Sequence, residues 1–201
     1  MMKRTRGSDR FDRGGRPSRL GRRRLLAGVA AGGASLALAG CLGDDGQDVE
    51  PLALDGERDC DQCGMIIEDH PGPVGQIHFA DDAPEGGRPG QFCSSTCTYT
   101  YRFDAMDEGR DPIATFLTDY STVDYETFEE GDDVLFSSHV DADAFAPLPS
   151  LTVVAGSDVA GAMGPELIPF SDGDDVDAFR DSYGGTPMDA EDVDRATVDA
   201  L

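Results

Sequence analysis

The stretch Cys60-Asp61-Gln62-Cys63-Gly64-Met65 and the stretch Phe92-Cys93-Ser94-Ser95-Thr96-Cys97 decide how this chain is organised. Together they supply four thiols and one thioether from two short segments. Soft sulfur donors at such spacing suit a soft metal, Cu(I) above all, whereas hard ions prefer oxygen ligands. The two stretches therefore predict a metal site that joins two separate parts of the chain.

The Cys-x-x-Cys motif also permits other chemistry. A redox disulfide motif usually opens a helix, whose N-terminus lowers the thiol pKa, but Gly64 and a β-like stretch follow here. A zinc site could take four thiolates, and short-loop disulfides are a further alternative in an exported chain; the residues concerned are Cys60, Cys63, Cys93 and Cys97. A zinc site would give Met65 no role as a ligand, whereas a thioether ligand strengthens the binding of Cu(I).

Three further side chains are candidate ligands. Met163 lies between glycines on a predicted loop, which is unusual for a core residue, although it could fill a gap in the core. His70 sits in a predicted turn, and His78 alternates with apolar neighbours, so either could bind metal or simply lie on the surface. No arrangement of nucleophile and base stands out from the acidic background, so we expect a protein that is not an enzyme.

The first 40 residues read as an export signal. Arg22-Arg23-Arg24-Leu25-Leu26 fits a twin-arginine signal, and Leu38-Ala39-Gly40-Cys41 fits a lipobox whose cysteine becomes lipidated. A membrane-spanning anchor is the alternative, but residues 25–39 are short for a span, which needs about 20 apolar residues. We therefore predict an exported protein, lipid-anchored through Cys41 at the outer face of the cell membrane.

The chain beyond this signal is strongly acidic. Residues 41–201 hold 38 acidic side chains against six arginines and no lysine, a formal charge of −32. Such a charge destabilises a compact state unless salt screens it, and the Debye length falls to about 3 Å at 1 M salt. The composition favours a protein of a halophile and excludes nucleic-acid binding, which requires a basic surface.

The coarse pattern predicts an α+β fold. Residues 41–59 are expected to form a flexible acidic tether, and residues 60–201 a metal-binding domain made of two similar strand-strand-helix units, at about 60–125 and 126–201. The predicted strands are 65–68, 74–80, 113–123, 134–140, 151–155 and 166–170, and the predicted helices are 94–107, 174–183 and a short one near Asp189. The repeat would place Met65 and Met163 at equivalent positions.

Four ordered motifs resemble the family of nitrous-oxide-reductase accessory lipoproteins, NosL. They are Cys60-x-x-Cys63-Gly64-Met65, His70-Pro71-Gly72-Pro73, Phe92-Cys93-Ser94 and the run 153–170. The resemblance covers most of residues 60–183 and includes the signal and the lipobox. Its implied fold is two ββα-type units related to part of the organomercurial lyase fold.

The resemblance implies a membrane-tethered Cu(I) chaperone that helps to mature nitrous oxide reductase. Its partners would be that reductase, its copper-loading membrane machinery and the membrane itself. Carried over residue by residue, the ligands would be Cys63, Met65 and Met163 first, then Cys60 and Cys93. The chain departs from the family pattern at Cys97, which keeps a zinc or disulfide role open for Cys93 and Cys97. The alternatives to a copper chaperone are a structural or sensing zinc module that uses all four cysteines and an exported thiol redox protein.

Overall fold

A computed structural model describes residues 49–81, 84, 86–131 and 133–201. The signal predicted for residues 1–40 and the lipidation predicted at Cys41 lie outside the described residues. In chain order the strands are β1 (Gly75–Phe79), β2 (Gly90–Phe92), β3 (Pro112–Thr118), β4 (Thr127–Glu130), β5 (Asp133–Phe136), β6 (Phe145–Pro147), β7 (Thr152–Ala155), β8 (Val159–Gly161), β9 (Gly164–Pro165), β10 (Ile168–Phe170) and β11 (Thr186–Asp189). The α-helices are α1 (Ser95–Asp107), α2 (Gly173–Tyr183) and α3 (Arg195–Asp199).

The first sheet has the order β2-β1-β3-β6 and is antiparallel throughout. Its helix α1 follows β2 directly, and Ser94 caps it because the Ser94 side chain accepts a hydrogen bond of 2.9 Å from the Cys97 backbone N–H. The predicted helix at 94–107 is therefore found almost residue for residue. Because β2 ends at Phe92, both thiols of the second sequence stretch lie where the sheet passes into the helix.

The second sheet has the order β10-β7-β11, and α2 lies in the chain between β10 and β11. The first sheet contains the same arrangement, since its central strand β1 comes first, the edge strand β2 second, and β3 follows the helix. Strands and helices of this kind confirm the α+β class. Unlike the predicted strand-strand-helix units, each observed unit has a third strand after its helix, β3 in the first and β11 in the second. Strand β6 also belongs to the first sheet, although it lies beyond the boundary predicted near residue 125.

The predicted equivalence of Met65 and Met163 is wrong. The segment Ile77-His78-Phe79 belongs to the central strand β1, whereas Ile168–Phe170 is the edge strand β10. Met65 therefore precedes a central strand, and Met163 lies between a central strand and an edge strand. An apolar residue two places before a phenylalanine fits any strand with one buried face, because side chains alternate with a period of two.

A second correction concerns the segment that links the cysteine motif to β1. Residues 65–68 were predicted as a strand, but Ile66 forms a single bridge with Asp59 and a 3₁₀ turn follows at Ile67–Asp69. Two prolines come soon afterwards, at 71 and 73, and proline has no N–H to give to a sheet ladder. Ile67 is nevertheless fully buried, which explains its apolar side chain.

The described part of the predicted tether packs against the domain instead of leaving it. Leu54 is buried, and its backbone N–H donates to the Val140 carbonyl at 2.8 Å. The backbone of Leu52 exchanges two hydrogen bonds of 2.9 Å with the side chain of the buried Gln76. The domain thus begins before Cys60, since buried apolar side chains and paired backbone groups already hold residues 52–54 in place.

A third sheet, with the order β4-β5-β8-β9, carries the turn that contains Met163. Its short hairpin pairs Ala160 with Pro165 and Gly161 with Gly164, so Ala162 and Met163 form the turn. One of the three apolar clusters of the core includes Cys60, Cys93 and Cys97, and Ala162 packs against that cluster. The fold therefore brings a hairpin from the C-terminal half next to the cysteine-bearing segments.

Candidate metal centre

The four cysteines of the described chain form one group. Their Sγ atoms all lie within 4.8 Å of one another, and all four are free thiols. The Sγ atom of Cys93 lies 3.4 Å from that of Cys63 and 3.9 Å from that of Cys97. The structure thus brings together both sequence stretches that were predicted to share a metal.

A tight turn aligns the first two thiols. The Gly64 N–H donates to the Cys60 carbonyl, and the Cys60 N–H donates to the Met65 carbonyl, each at 2.8 Å. Gly64 has a φ of +78°, a left-handed conformation that glycine adopts without the steric cost of a Cβ atom. The chain therefore folds back on itself immediately after Cys63. No α-helix begins at this motif, as expected for a site that is not of the thioredoxin type.

Asp61 ties this turn to strand β2. Its carboxylate accepts hydrogen bonds from the Gln91 N–H at 2.8 Å and from both terminal nitrogens of Arg88 at 2.6 and 2.7 Å. The Asp61 N–H in turn donates to the Gln91 carbonyl at 2.9 Å. Because Cys93 lies two residues beyond Gln91, this anchoring fixes the distance between the two pairs of thiols.

The thiols differ in their exposure to solvent. Cys60, Cys93 and Cys97 are at most 3% exposed, whereas Cys63 is exposed. Three sulfur atoms thus belong to the protein interior and one belongs to the surface. The three buried sulfurs would bind an ion from the protein interior, and a partner could reach that ion from the side of Cys63.

The buried thiols shift the pKa values of one another in opposite directions. Hydrogen bonds from Cys93 and Cys97 lower the pKa of Cys60 far below that of an ordinary thiol, although burial opposes the shift. Hydrogen bonds to Cys60 and Cys97, together with burial, raise the pKa of Cys93 strongly, and a separate hydrogen bond to Cys60 raises the pKa of Cys97 to about 12. The thiolate, which is the form that binds metal, is therefore favoured at Cys60 over Cys93 and Cys97.

The sulfur positions fit a single soft ion. A metal–sulfur bond of about 2.3 Å separates two sulfurs by about 3.8 Å in a tetrahedral site and by about 4.6 Å in a linear one. The distances in this group run from 3.4 Å to a limit of 4.8 Å. Both Zn²⁺ with four thiolates and Cu(I) with two or three soft ligands are compatible with that range.

The two methionines come from segments that adjoin this group. Met65 is half-buried and packs against the apolar cluster that contains three of the cysteines. Met163 is 46% exposed in the turn of the β8–β9 hairpin, and its neighbour Ala162 packs against the same cluster. Both thioethers thus come from segments that adjoin the thiols.

His70 is not part of the group of thiols. Among the described residues, the potential ligand atoms within 4.8 Å of one another are those of the four cysteines. His70 is half-buried and lines a cavity of about 270 Å³ together with Ala162 and Gly164. It therefore lies near the Met163 turn, and a role as a ligand remains a proposal.

The sequence analysis missed Glu166. Its side chain is 1% exposed, and its Oε2 atom accepts hydrogen bonds from the hydroxyl of Ser95 and from the N–H and hydroxyl of Thr96. Burial raises the pKa of Glu166 to about 7, although these hydrogen bonds oppose the shift. The available signal was a lone acid within the apolar run 165–170, whereas most acids of the chain lie in polar surroundings.

Among the described residues, no helix combines the length and the apolar character that crossing a bilayer requires.

The α+β domain carries a partly exposed group of four free thiols, which is the set of side chains that a soft-metal site uses. The model of the NosL family matches residues 51–198, most of the chain. The chain belongs to the NosL family, as the sequence motifs predicted.

Two relatives carry names that bear on function. The copper-binding lipoprotein NosL of Stutzerimonas stutzeri is 29% identical over 182 residues, which cover 90% of this chain and 84% of that protein. The crystal structure of the copper chaperone NosL from Shewanella denitrificans has the same fold, with a TM-score of 0.57 and 23% identity over 73% of this chain and 97% of that chain. These relatives are copper proteins and not enzymes.

Proposed function

We propose that this protein is a Cu(I) chaperone that is tethered to the outer face of the membrane and supplies copper for the maturation of nitrous oxide reductase. The observation that carries the proposal is the group of four free thiols, three of them buried and one exposed. A site for transient cargo needs enough affinity to hold the ion and one side that a receiving ligand can approach. The group of four thiols meets the first need, and the exposure of Cys63 meets the second.

The proposed ligands follow from softness and position. Cys63 provides the main thiolate, and Met65 and Met163 add thioethers that Cu(I) accepts but hard ions do not. Cys60, Cys93 and Cys97 supply further thiols within 4.8 Å of one another and of Cys63. His70, beside the Met163 turn, is a secondary candidate ligand.

The remaining parts of the proposal rest on the family and on the N-terminal sequence. The relative from Stutzerimonas stutzeri is named a copper-binding lipoprotein, which supports copper as the cargo and a lipid anchor. In this chain the anchor would be Cys41, after twin-arginine export. The reductase and its copper-loading membrane machinery, as partners, follow from the resemblance of the motifs to the family.

A Cu(I) titration tests the proposal. Reduced protein in concentrated salt, without oxygen, should take about one Cu(I) per chain from a weak chromophoric chelator. The variant Cys63→Ser combined with Met65→Leu should lose most of this binding. Met106→Leu is the matched control, because Met106 is 41% exposed and lies at the C-terminal end of α1, nine residues after Cys97. Unchanged binding in the double variant would overturn the proposal.

A structural or sensing zinc site is the second candidate function, and the spacing of the thiols favours it. The 3.9 Å between the Sγ atoms of Cys93 and Cys97 is close to the edge of a tetrahedral ZnS₄ site of about 3.8 Å. A zinc protein would retain Zn²⁺ on purification and unfold when the ion is chelated, and its metal binding would be unchanged by Met65→Leu. Metal analysis of the natively isolated protein distinguishes the two functions. A thiol redox role would instead show as a Cys60–Cys63 disulfide of defined potential without metal binding.

A further inference from the structure

Glu166 joins two segments that both reach the thiol group. Its Oε2 atom accepts three hydrogen bonds from Ser95 and Thr96, the first two residues of α1. The Ser95 hydroxyl also accepts a hydrogen bond of 3.2 Å from the Leu167 N–H. Cys97 follows in the same helical turn, so the carboxylate is bonded to the segment that carries two of the four thiols.

The same side chain supports the hairpin that presents Met163. Gly161 and Gly164 pair across this hairpin, with only Ala162 and Met163 between them. A Cβ atom on Gly161 would lie 2.6 Å from the Cγ atom of Glu166 and 2.7 Å from the Gly72 carbonyl oxygen. Strand β8 therefore packs directly on the stem of Glu166, and the turn has little freedom to move relative to α1.

Burying the carboxylate of Glu166 at this position costs free energy of folding. A buried carboxylate has to be hydrogen-bonded, yet the Oε1 atom of Glu166 has no partner among the described residues. Three hydrogen bonds on the other oxygen and the positive end of α1 offset part of that cost. An apolar residue would fill the same space without an orphaned oxygen, but it could not bind the first turn of α1.

We infer that Glu166 is a positioning residue for the metal centre: its carboxylate is hydrogen-bonded to the first turn of α1 while its stem packs against Gly161 of the Met163 hairpin, and this arrangement holds the Met163 thioether near the cysteines. This inference rests on the proposed function, because it assumes that Met163 contributes to Cu(I) binding. Glu166 itself does not touch the metal. Its effect is to keep a thioether on a short turn at a constant distance from thiols that lie about 70 residues earlier in the chain.

A double-mutant cycle on Cu(I) affinity tests the inference. The purified protein is titrated with Cu(I) against a competing chelator as wild type, Met163→Leu, Glu166→Ala and the double variant. We expect Met163→Leu to weaken binding about tenfold in the wild-type background and less than about twofold in the Glu166→Ala background. A residue with a purely structural role would lower stability without altering the contribution of Met163.

Asp119→Asn is the matched control. Asp119 is the other buried acid of the described chain, and its Oδ1 atom accepts hydrogen bonds from Ser121 and Ser171, outside the metal centre. In that background the effect of Met163→Leu should stay about tenfold. If Glu166→Ala does not fold, Ser95→Ala, which removes one donor to Glu166, replaces it in the cycle.

The outcomes separate the inference from the proposed function. An equal loss on Met163→Leu with and without Glu166 overturns the inference, and so does the absence of any loss in the wild type, while Cu(I) binding by the cysteines would stand in both cases. A wild-type protein that binds no Cu(I) at all overturns the proposed function as well.

Discussion

The Sγ atom of Cys63 lies 3.4 Å from the Sγ atom of Cys93, although 30 residues separate them in the chain. Cys63 is exposed and Cys93 is fully buried, so a metal ion bonded to both would lie at the boundary between the surface and the core. An incoming ligand could attack such an ion from the Cys63 side without opening the core. This asymmetry is what distinguishes the site from a fully enclosed thiolate cage.

The exposure of Cys63 predicts the order in which the thiols react. In the reduced, metal-free protein, iodoacetamide should modify Cys63 well before Cys60, because reactivity requires access as well as thiolate character. Peptide mapping by mass spectrometry after short reaction times measures this order. Bound Cu(I) should protect Cys63. Faster labelling of Cys60, whose pKa is lowered but whose side chain is buried, would contradict the greater exposure of Cys63.

The raised pKa of Glu166 predicts a dependence of stability on pH. Because burial raises the pKa from 4.5 in the unfolded chain to about 7 in the fold, the neutral form stabilises the fold. That stabilisation is complete below pH 4.5 and is lost as the pH rises through 7, a loss of about 3 kcal/mol. Subtracting the unfolding free energy of Glu166→Gln from that of the wild type, at each pH in constant salt, isolates this contribution. A difference that does not change between pH 4.5 and 7.5 would show that the carboxylate is not perturbed.

The packing of Gly161 predicts that one methyl group is not tolerated there. In Gly161→Ala the new Cβ atom would meet Glu166 and a backbone oxygen at under 3 Å, so we expect a loss of about 1–3 kcal/mol and weaker Cu(I) binding. Gly173→Ala, at the start of α2, is the control, because a Cβ atom there meets nothing within 4 Å. Urea unfolding and the Cu(I) titration measure both effects. Equal behaviour of the two variants would contradict the close approach of β8 to Glu166.

The net charge predicts that salt stabilises the fold. With 38 acids and six arginines in residues 41–201, mutual repulsion should fall steeply as the Debye length shrinks from about 10 Å at 0.1 M to about 3 Å at 1 M salt. The free energy of unfolding in urea should therefore rise with KCl concentration. A neutral osmolyte at equal osmolality serves as the control for effects other than screening. Stability that is independent of salt would argue against a protein adapted to concentrated salt.

Local residue order was enough to predict the elements that depend on local physics. Helix α1 was predicted because Ser94 can accept a hydrogen bond from the backbone N–H three residues later. Helix α2 was predicted from its apolar face and from the glycine that ends it at residue 184. The strand predicted at residues 65–68 was wrong: Ile66 makes a single bridge before a 3₁₀ turn, and the nearby prolines at 71 and 73 have no N–H to give to a ladder.

The sequence by itself determined which chemistry is open to this protein: the soft sulfur side chains, the family, the acidic composition and the expectation of export all follow from which residues occur in which order. Tertiary structure alone decided that Cys63 faces solvent while three thiols are buried, that Glu166 bonds to the start of α1, and that Met65 and Met163 are not equivalent. These features depend on pairing between segments 30 to 71 residues apart. Such pairing arises from the packing of whole sheets and helices, which no local pattern encodes.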